Sequence, residues 1–218
     1  MIAPRQAGKA PSNERGAAVI VALLVMVLLA TIGAALVTLT TTDVLIAASH
    51  RHGLEASNAA EAALDRALHE LAALPDWSAV LRAPPGNVSA TFSETSSFAM
   101  LPDGRRLELA SATAERQRES DAREGIDAFG ADAPRWRLFA HASIDRLYGA
   151  RADAPLYLMV WVADDGWDGD GEADRDTNGS VVVHAQAFGA RGARRAVEAA
   201  VRRSSDGAIE RRSWQRVR

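Results

Sequence analysis

An uncharged segment near the N-terminus constrains this chain of 218 residues more than any other feature. Residues 17–42 comprise 20 apolar residues, five threonines and one glycine, and none of them carries a charge. A helix of about 20 apolar residues crosses a bilayer while satisfying its backbone hydrogen bonds internally. A soluble domain of this size seldom buries such a helix on every face, so the sequence predicts a transmembrane helix over residues 17–39.

The residues before this segment indicate its orientation. Arg5, Lys9 and Arg15 outnumber the single acid Glu14. Basic flanks of membrane helices stay in the cytoplasm, so the rest of the chain is expected on the other side of the membrane. A secretory signal cut near residues 47–49 is the alternative, but its apolar region would span only about 7–15 residues.

Two short motifs accompany the apolar segment. Glu14-Arg15-Gly16 followed by the alanine-rich residues 17–24 resembles the class III leader of type IV pilins. Residues 57–68 contain the stretch AAEAAL, which resembles a signature found after the membrane segment in PilX-type minor pilins. The resemblance implies a leader over residues 1–16, removed by a prepilin peptidase between Gly16 and Ala17. It also implies a subunit that sits in the inner membrane as a single-pass protein and then moves to the pilus and cell surface, contacting other minor pilins and the major pilin through its apolar helix.

The chain departs from the pilin pattern at Val21. Most pilins carry Glu at this fifth mature position, where it pairs with the N-terminal amine of a neighbouring subunit. A subunit without this carboxylate leaves the amine of the subunit ahead unpaired, and a buried unpaired charge is costly. The tip pseudopilin of type II secretion also lacks this Glu. The resemblance therefore implies a tip-proximal minor pilin that acts in pilus assembly or initiation.

Beyond the membrane segment, the sequence predicts a long helix followed by a mixed head. Apolar residues at three- and four-residue steps continue the helix over residues 17–74, and Pro75 ends it. The head, residues 75–218, closes with a basic tail. The fold class expected is α+β and pilin-like, with the long N-terminal helix packed on an antiparallel sheet. Residues 107–124 are expected as a loop or short helix, and the predicted strands are 88–93, 136–144, 156–163, 180–188 and 194–201.

An acidic segment separates two of these strands. Residues 164–178 hold seven acids against the single base Arg175, and hard cations such as Ca²⁺ bind oxygen-rich clusters. Residues 174–179 fit the opening of a calcium loop, D-x-[DN]-x-[DN]-G, but Ala185 stands where the usual bidentate Glu would be. A fully solvated acidic turn is the alternative. The predicted calcium ligands are Asp168, Asp170, Glu172, Asp174, Asp176, Asn178 and Ser180.

The remaining features narrow the function classes. The chain has no cysteine, which excludes disulfides, zinc–thiolate sites and thiol nucleophiles. It contains no G-x-S-x-G, P-loop or H-E-x-x-H motif, so we expect no enzyme, and His141 and His184 are expected to be structural. Residues 189–218 hold nine Arg against three acids. That tail either contacts lipid headgroups, DNA or an acidic partner, or is disordered, and DNA binding is not established.

Three functions stay open from the sequence. The first is a minor pilin-like structural subunit of a type IV pilus. The second is a single-pass, membrane-anchored periplasmic module that binds calcium or another ligand and is never cleaved. The third is a type II secretion pseudopilin. The sequence does not distinguish adhesion, motility, DNA uptake and secretion.

Overall fold

The computed structural model describes residues 14–84, 89, 93–124, 130–148 and 155–217. It divides into two compact units, Met1–Ala48 and Ser49–Arg218. Helix α1 spans Glu14–Ala73, so its first part belongs to the first unit and its last part to the second. The helix ends two residues before Pro75, where the sequence predicts that it must end.

The second unit contains all the other elements of the described chain. Short 3-10 turns lie at Gly130–Asp132 and Ala190–Gly192. The helices after α1 are α2 (Ser78–Arg82), α3 (Leu109–Glu124) and α4 (Ile144–Tyr148). The strands are β1 (Phe98–Met100), β2 (Arg106–Glu108), β3 (Arg137–Ser143), β4 (Tyr157–Asp164), β5 (Ser180–Phe188), β6 (Arg194–Arg203), β7 (Ile209–Arg211) and β8 (Gln215–Val217).

Six of these strands form one antiparallel sheet in the order β3-β4-β5-β6-β7, with β8 also paired to β6. Strand β4 is buried along its whole length because both faces of the sheet are covered. Its residues Leu158, Val160 and Val162 face the core shared with α1, whereas Tyr157, Met159 and Trp161 face the core shared with α3. The predicted α+β class is confirmed, and this arrangement is consistent with a pilin-like fold.

The last part of α1 packs on the sheet through an alanine stripe. Ala56, Ala60, Ala63 and Ala67 are fully buried, and Leu64 and Leu71 join them in the same core. Small side chains at three- and four-residue steps let the helix backbone approach the sheet closely. The compact head unit therefore begins at Ser49, within the helix, whereas the sequence places the head boundary at residue 75.

The C-terminus of α1 is capped by an arginine from β6. Arg203 donates to the carbonyl of Leu74 at 2.6 Å and to that of Pro75 at 2.8 Å, and its guanidinium lies 4.6 Å from the centre of the Trp77 ring. The last carbonyls of a helix have no partner within the helix, and a cation also opposes the negative end of the helix dipole. Arg203 thus ties the helix end to the sheet.

The opposite face of the sheet is covered by α3 and the β1–β2 pair. The segment predicted as a loop or short helix is β2 followed by the 16-residue helix α3. Leu109 and Ala112 are buried against the sheet, and the hydroxyl of Thr113 accepts a hydrogen bond from Trp161 Nε1 at 3.0 Å. The sequence of α3 is polar and does not predict a long helix. Packing on the sheet therefore stabilises it.

The basic tail is ordered in the described chain, so the disordered alternative is wrong for residues 209–217. Strands β7 and β8 pair with β6, and Arg211 and Arg216 form ion pairs with Asp65 and Glu61 of α1 at 2.7 and 3.0 Å. The strand predicted at 194–201 is confirmed as β6. The strand predicted at 88–93 falls mostly on residues outside the described ranges.

Candidate functional site

The acidic segment forms the connection between the two central strands β4 and β5. Asp164 closes β4 and pairs across the sheet with Val181, so residues 165–179 leave the sheet and return to it. Ser78, at the start of α2, donates from its Oγ to the Asp176 carbonyl at 3.4 Å. The loop is therefore anchored at both ends of the hairpin and against α2.

One oxygen of each of several loop acids holds the loop backbone. Asp168 Oδ2 accepts hydrogen bonds from the backbone and the hydroxyl of Thr177, at 3.2 and 2.9 Å. Asp170 Oδ1 accepts from the Glu172 backbone N–H at 2.8 Å. Asp164 Oδ1 accepts from the Asp165 backbone N–H at 2.9 Å. These bonds explain how so many carboxylates share one short loop.

The second oxygens of the same residues have no hydrogen-bond donor within the described ranges. Asp168 Oδ1, Asp170 Oδ2 and Asp164 Oδ2 are buried and accept no hydrogen bond from the described residues. The same holds for Asn178 Oδ1, although the amide nitrogen of Asn178 donates to Asp165 Oδ1 at 3.0 Å. Buried acceptors in native proteins nearly always have a partner, so unpaired oxygens indicate a missing donor or cation.

Asp132, from the 3-10 turn after α3, joins this set. One carboxylate oxygen each from Asp132, Asp168 and Asp170 lies within 4.8 Å of the others, so a single metal ion can contact all three. Asp132 Oδ1 is also buried without a hydrogen-bond partner in the part of the chain that the structure describes. Arg175 forms a long ion pair with this group, because its Nε lies 3.9 Å from Asp170 Oδ2.

Electrostatics at the base of the loop favours a bound cation. Asp164 is fully buried, and burial together with the nearby Asp168 charge raises the pKa of Asp164 to about 7. Burial also raises the pKa of Asp176, although the backbone N–H groups of Gly179 and Ser180 donate to its carboxylate and oppose that shift. A divalent cation would remove much of this cost, since opposite charge favours the ionised carboxylate.

The donor set fits a hard cation. In Asp132 and the acidic loop, the buried atoms without a hydrogen bond are carboxylate or amide oxygens, which suit Ca²⁺ or Mg²⁺. The chain contains no sulfur other than that of methionine. Of the seven ligands predicted from sequence, Asp168 and Asp170 belong to the three-carboxylate group and Asn178 offers an unpartnered oxygen.

Of the other four predicted ligands, Ser180 is the first residue of β5, and Glu172, Asp174 and Asp176 lie elsewhere in the loop. Glu172 is exposed and lies 3.5 Å from Arg175, and Asp174 is outside the three-carboxylate group. Asp176 Oδ1 accepts the backbone N–H groups of Gly179 and Ser180 at 2.7 and 3.1 Å, so it shapes the turn into β5. The sequence reasoning missed Asp132, because only the tertiary fold brings a residue 36 positions before Asp168 to the loop.

The first part of α1 is the second functional feature. Residues 16–47 are exposed, and the large apolar side chains from Val19 to Ile46 are between 48% and 68% exposed. This helix is long and apolar enough to cross a membrane. Thr38, Thr40, Thr41 and Thr42 donate their hydroxyls to the carbonyls four residues earlier, which satisfies these polar groups in an apolar medium.

The predicted cleavage pair lies at the beginning of the same helix. Gly16 and Ala17 are exposed in the first turn of α1, which begins at Glu14. A Cβ added at Gly16 would meet no atom of the described residues within 4 Å, so packing against residues 14–84 and the rest of the described chain does not require glycine here.

A groove of about 980 Å³ lies between α3 and the start of β3. Leu109 and Thr113 of α3 form one wall, and Trp136 and Leu138 form the other. Gln117 fixes the second wall, because its amide donates to the Pro134 carbonyl at 2.9 Å and accepts from the Trp136 backbone at 3.0 Å. The groove lining also includes Gly130, which lies in the same 3-10 turn as Asp132.

The two strand histidines are buried in polar contacts. His184 Nδ1 lies 3.0 Å from Glu198 Oε2, and burial keeps the pKa of His184 below its usual value. Burial alone would raise the pKa of Glu198, but the His184 hydrogen bond and the charge of Arg123 lower it to about 2. His141 Nδ1 lies 2.8 Å from the hydroxyl of Tyr157, and burial lowers the pKa of His141.

Comparison of the chain with protein-family models, with curated proteins and with solved structures found no match. Function is therefore inferred from the sequence motifs and from two local features of the structure. These are the exposed apolar part of α1 and the carboxylate group formed by Asp132, Asp168 and Asp170.

Proposed function

We propose that this protein is a minor pilin-like structural subunit of a type IV pilus, tip-proximal and active in pilus assembly or initiation. One observation carries the proposal: the first part of α1 exposes an apolar surface on every side, while Ser49–Arg218 contains its own core. Exposed apolar surface of this extent requires lipid or other apolar helices. A filament subunit that is held in the inner membrane before assembly needs such a helix. Its apolar surface contacts lipid first and the helices of other subunits after assembly.

The leader motif and Val21 refine this role. Gly16 precedes the apolar segment directly, as in chains cut by a prepilin peptidase, and the basic residues before it favour a cytoplasmic N-terminus. Val21 provides no carboxylate for the N-terminal amine of the subunit ahead, which is compatible with a subunit at the tip. In this account the protein acts by packing: its apolar helix bundles with those of other pilins, and its head is displayed in the periplasm and then outside the cell.

Blocking the leader tests the assignment. We expect Gly16→Leu, in a bacterium that assembles type IV pili, to leave the full chain in the inner membrane and absent from sheared filaments. Gly8→Leu, a matched change within the same leader, should leave filament incorporation intact. Recovery of the Gly16→Leu chain in filaments at wild-type levels would contradict the role as a processed pilin.

The two alternatives predict different distributions. A never-cleaved, membrane-anchored binding module would stay entirely in the membrane fraction with both variants, and no chain would appear in filaments. A type II secretion pseudopilin would be processed normally but would appear with the secretion machinery in place of the pilus. Fractionation of cells lacking one or the other machine separates these outcomes.

We also propose that the acidic loop binds Ca²⁺. Asp132, Asp168 and Asp170 supply three carboxylates. Asp164, at the end of β4, and Asn178, in the loop, each have a buried oxygen that accepts no hydrogen bond from the described residues. Ca²⁺ accepts about 6–8 oxygen ligands in flexible geometry, which suits a set drawn from two separate segments. The site would join the turn at residues 130–132 to the β4–β5 connection.

A calorimetric titration tests the calcium proposal. We expect wild-type protein to bind Ca²⁺ and to gain thermal stability at millimolar Ca²⁺, because an ion that binds only the folded state stabilises it. Asp168→Asn should lose both effects, and so should Asp132→Asn. Asp174→Asn, which removes a loop charge outside the three-carboxylate group, should keep them. Equal losses in all three variants would show that only the general negative charge matters.

A further inference from the structure

A basic turn joins β5 to β6 at one end of the sheet. The turn, residues 189–195, contains three arginines and otherwise only glycine and alanine. Arg194 pairs with two glutamates of α3 at 3.0 and 3.4 Å, so α3 offsets its charge. Arg191 and Arg195 are exposed, and neither forms an ion pair within the described ranges. The turn therefore presents two uncompensated positive charges to its surroundings.

The backbone at Arg191 adopts a conformation that favours glycine. Its φ of 55° and ψ of 28° lie in the left-handed region, and every other described residue with a positive φ is a glycine. A Cβ makes this conformation less favourable than it is for glycine. The folding of the turn therefore does not explain the arginine, and a contact made by its exposed side chain does.

The turn packs against the part of α1 that belongs to the head unit. A Cβ built at Gly53 would lie 2.8 Å from Arg195 Nη2, so the glycine leaves space for the guanidinium against the helix. Arg51 and His52 of α1 line a cavity of about 210 Å³ together with Ala190 of the turn. The helix and the turn thus form one surface, here called the basic end, which consists of Arg51, His52, Arg191 and Arg195.

The basic end keeps a positive charge although acids lie close to it. Glu55 lines the same cavity and pairs with Arg51 at 2.7 Å and with His52 at 3.3 Å. With neutral histidine, the three arginines and this one glutamate give a formal charge of +2. Helix α4 follows β3 at the same end of the sheet and adds one acid and one base, Asp145 and Arg146, which leave the sum unchanged.

The opposite end of the sheet carries the opposite charge. The acidic loop joins β4 to β5 there, and residues 164–178 have seven acids and one arginine, a formal charge of −6. A bound Ca²⁺ would leave −4. An anionic surface attracts the basic end and repels the acidic loop, so it would meet this head at the basic end.

The neighbouring sequence identifies lipid as the anionic partner. Exposed large apolar side chains continue along α1 as far as Ile46, and Arg51 follows five residues later. Asp43 is the single charged residue from Ala17 to Arg51. Arginines that follow an apolar membrane segment place their charges at the level of the headgroups, where anionic lipids attract them.

We propose that the basic end is a docking surface for anionic phospholipid headgroups, which bind Arg51, Arg191 and Arg195 and hold the head with the acidic loop away from the bilayer. This inference rests on the membrane insertion of α1 in the proposed function. It gives a subunit held in the inner membrane one orientation of its head before assembly.

Hydrogen exchange of the full-length protein in nanodiscs tests the inference. Amide exchange of the turn is compared between pure phosphatidylcholine and an equal mixture of phosphatidylcholine and phosphatidylglycerol. We expect exchange about fivefold slower with phosphatidylglycerol, the factor that corresponds to one arginine at an anionic surface. Salt at about 1 M should remove this slowing because it screens the charges. The acidic loop should exchange at the same rate in both lipids.

Substitutions at the two ends of the sheet provide matched variants. Arg191→Gly removes a charge and also the unfavourable left-handed arginine, so it should keep or raise Tm and yet lose most of the slowing by phosphatidylglycerol. The ratio of rates in the two lipids cancels any change in exchange that the glycine itself causes. Arg191→Lys should keep the slowing. Arg202→Gln removes the same charge from an exposed position near the acidic loop and should also keep it.

The outcomes separate this inference from the proposed function. A chain that does not insert into nanodiscs would refute both. Insertion with equal exchange in the two lipids, or slowing that persists in Arg191→Gly, would overturn the lipid docking alone. Slowing in pure phosphatidylcholine that appears only with two chains per disc would assign the basic end to the acidic loop of a second copy. Slowing by duplex DNA but not by phosphatidylglycerol would assign it to nucleic acid, and in both cases the lipid assignment is wrong.

Discussion

The arginine that caps α1 gives a sharp test of how the head is held together. Arg203→Met keeps most of the side-chain length but removes the hydrogen bonds to Leu74 and Pro75, at 2.6 and 2.8 Å, and the cation over Trp77. Hydrogen bonds from a charged group contribute about 1.5–3 kcal/mol each. Arg203 is only half-buried and water can replace it at these carbonyls, so we expect a net loss of about 2–3 kcal/mol of unfolding free energy.

The assay is urea unfolding of residues 49–218, which carry both hydrophobic cores, followed by far-UV circular dichroism. For a chain of this size the loss corresponds to a fall in Tm of roughly 5–10 °C. Arg202→Met, at the exposed neighbouring position, is the matched control and should stay within about 0.5 kcal/mol of wild type. If Arg203→Met were as stable as Arg202→Met, the arginine would not fasten the helix end, and the reasoning would fail.

Three further substitutions test the core, the loop and the buried carboxylate of Glu198. Leu71→Ala should cost about 2–5 kcal/mol in urea unfolding because it opens a cavity where α1 meets the sheet, whereas the exposed Leu54→Ala should cost little. Gly179→Ala should cost about 1–2 kcal/mol by thermal unfolding, because the φ of +73° is left-handed, and no loss would show that the turn relaxes. Glu198 has a folded pKa of about 2 against an ordinary 4.5, so its contribution is complete above pH 4.5 and is lost as pH falls toward 2. Acid titration of Glu198→Gln should therefore show a shallower loss of stability between pH 5 and 2 than wild type, and parallel curves would contradict the assigned pKa.

Much of the fold was predictable from local patterns. Local signals span only a few neighbouring residues, and three of them were informative: the apolar run, Pro75 and the β-branched residues around 157–163 and 180–188. The structure places α1, β4 and β5 where these signals indicate. Helix α3 was not predicted as a long helix, because only the packing of Leu109 and Ala112 on the sheet stabilises its polar sequence.

The position of the basic tail also could not be predicted from local patterns. Its arginines predict a charged surface, but Arg211 and Arg216 pair with acids of α1 that are about 150 residues away in the sequence. Pairings of that range follow from the strand order and not from local composition. The sequence therefore indicated the charge of the tail but not its place at the edge of the sheet.

Only part of the candidate metal site could be predicted from the sequence. Alternating acids and glycines predict an oxygen-rich loop, and Asp168 and Asp170 do lie in the carboxylate group. The calcium-loop register makes Asp176 a ligand, but its Oδ1 accepts the backbone N–H groups that begin β5. No motif based on residue spacing could have predicted Asp132, because it reaches the loop only through the packing of the segment after α3.

The mature N-terminus tests the central claim most directly. Mass spectrometry of the N-terminal peptide, from protein extracted from membranes and sheared filaments of a piliated host, identifies where the chain begins. A pilin-like subunit predicts a chain that starts at Ala17 and carries an N-terminal methyl group. A chain that retains Met1, or that begins near Ser49, would contradict the assignment.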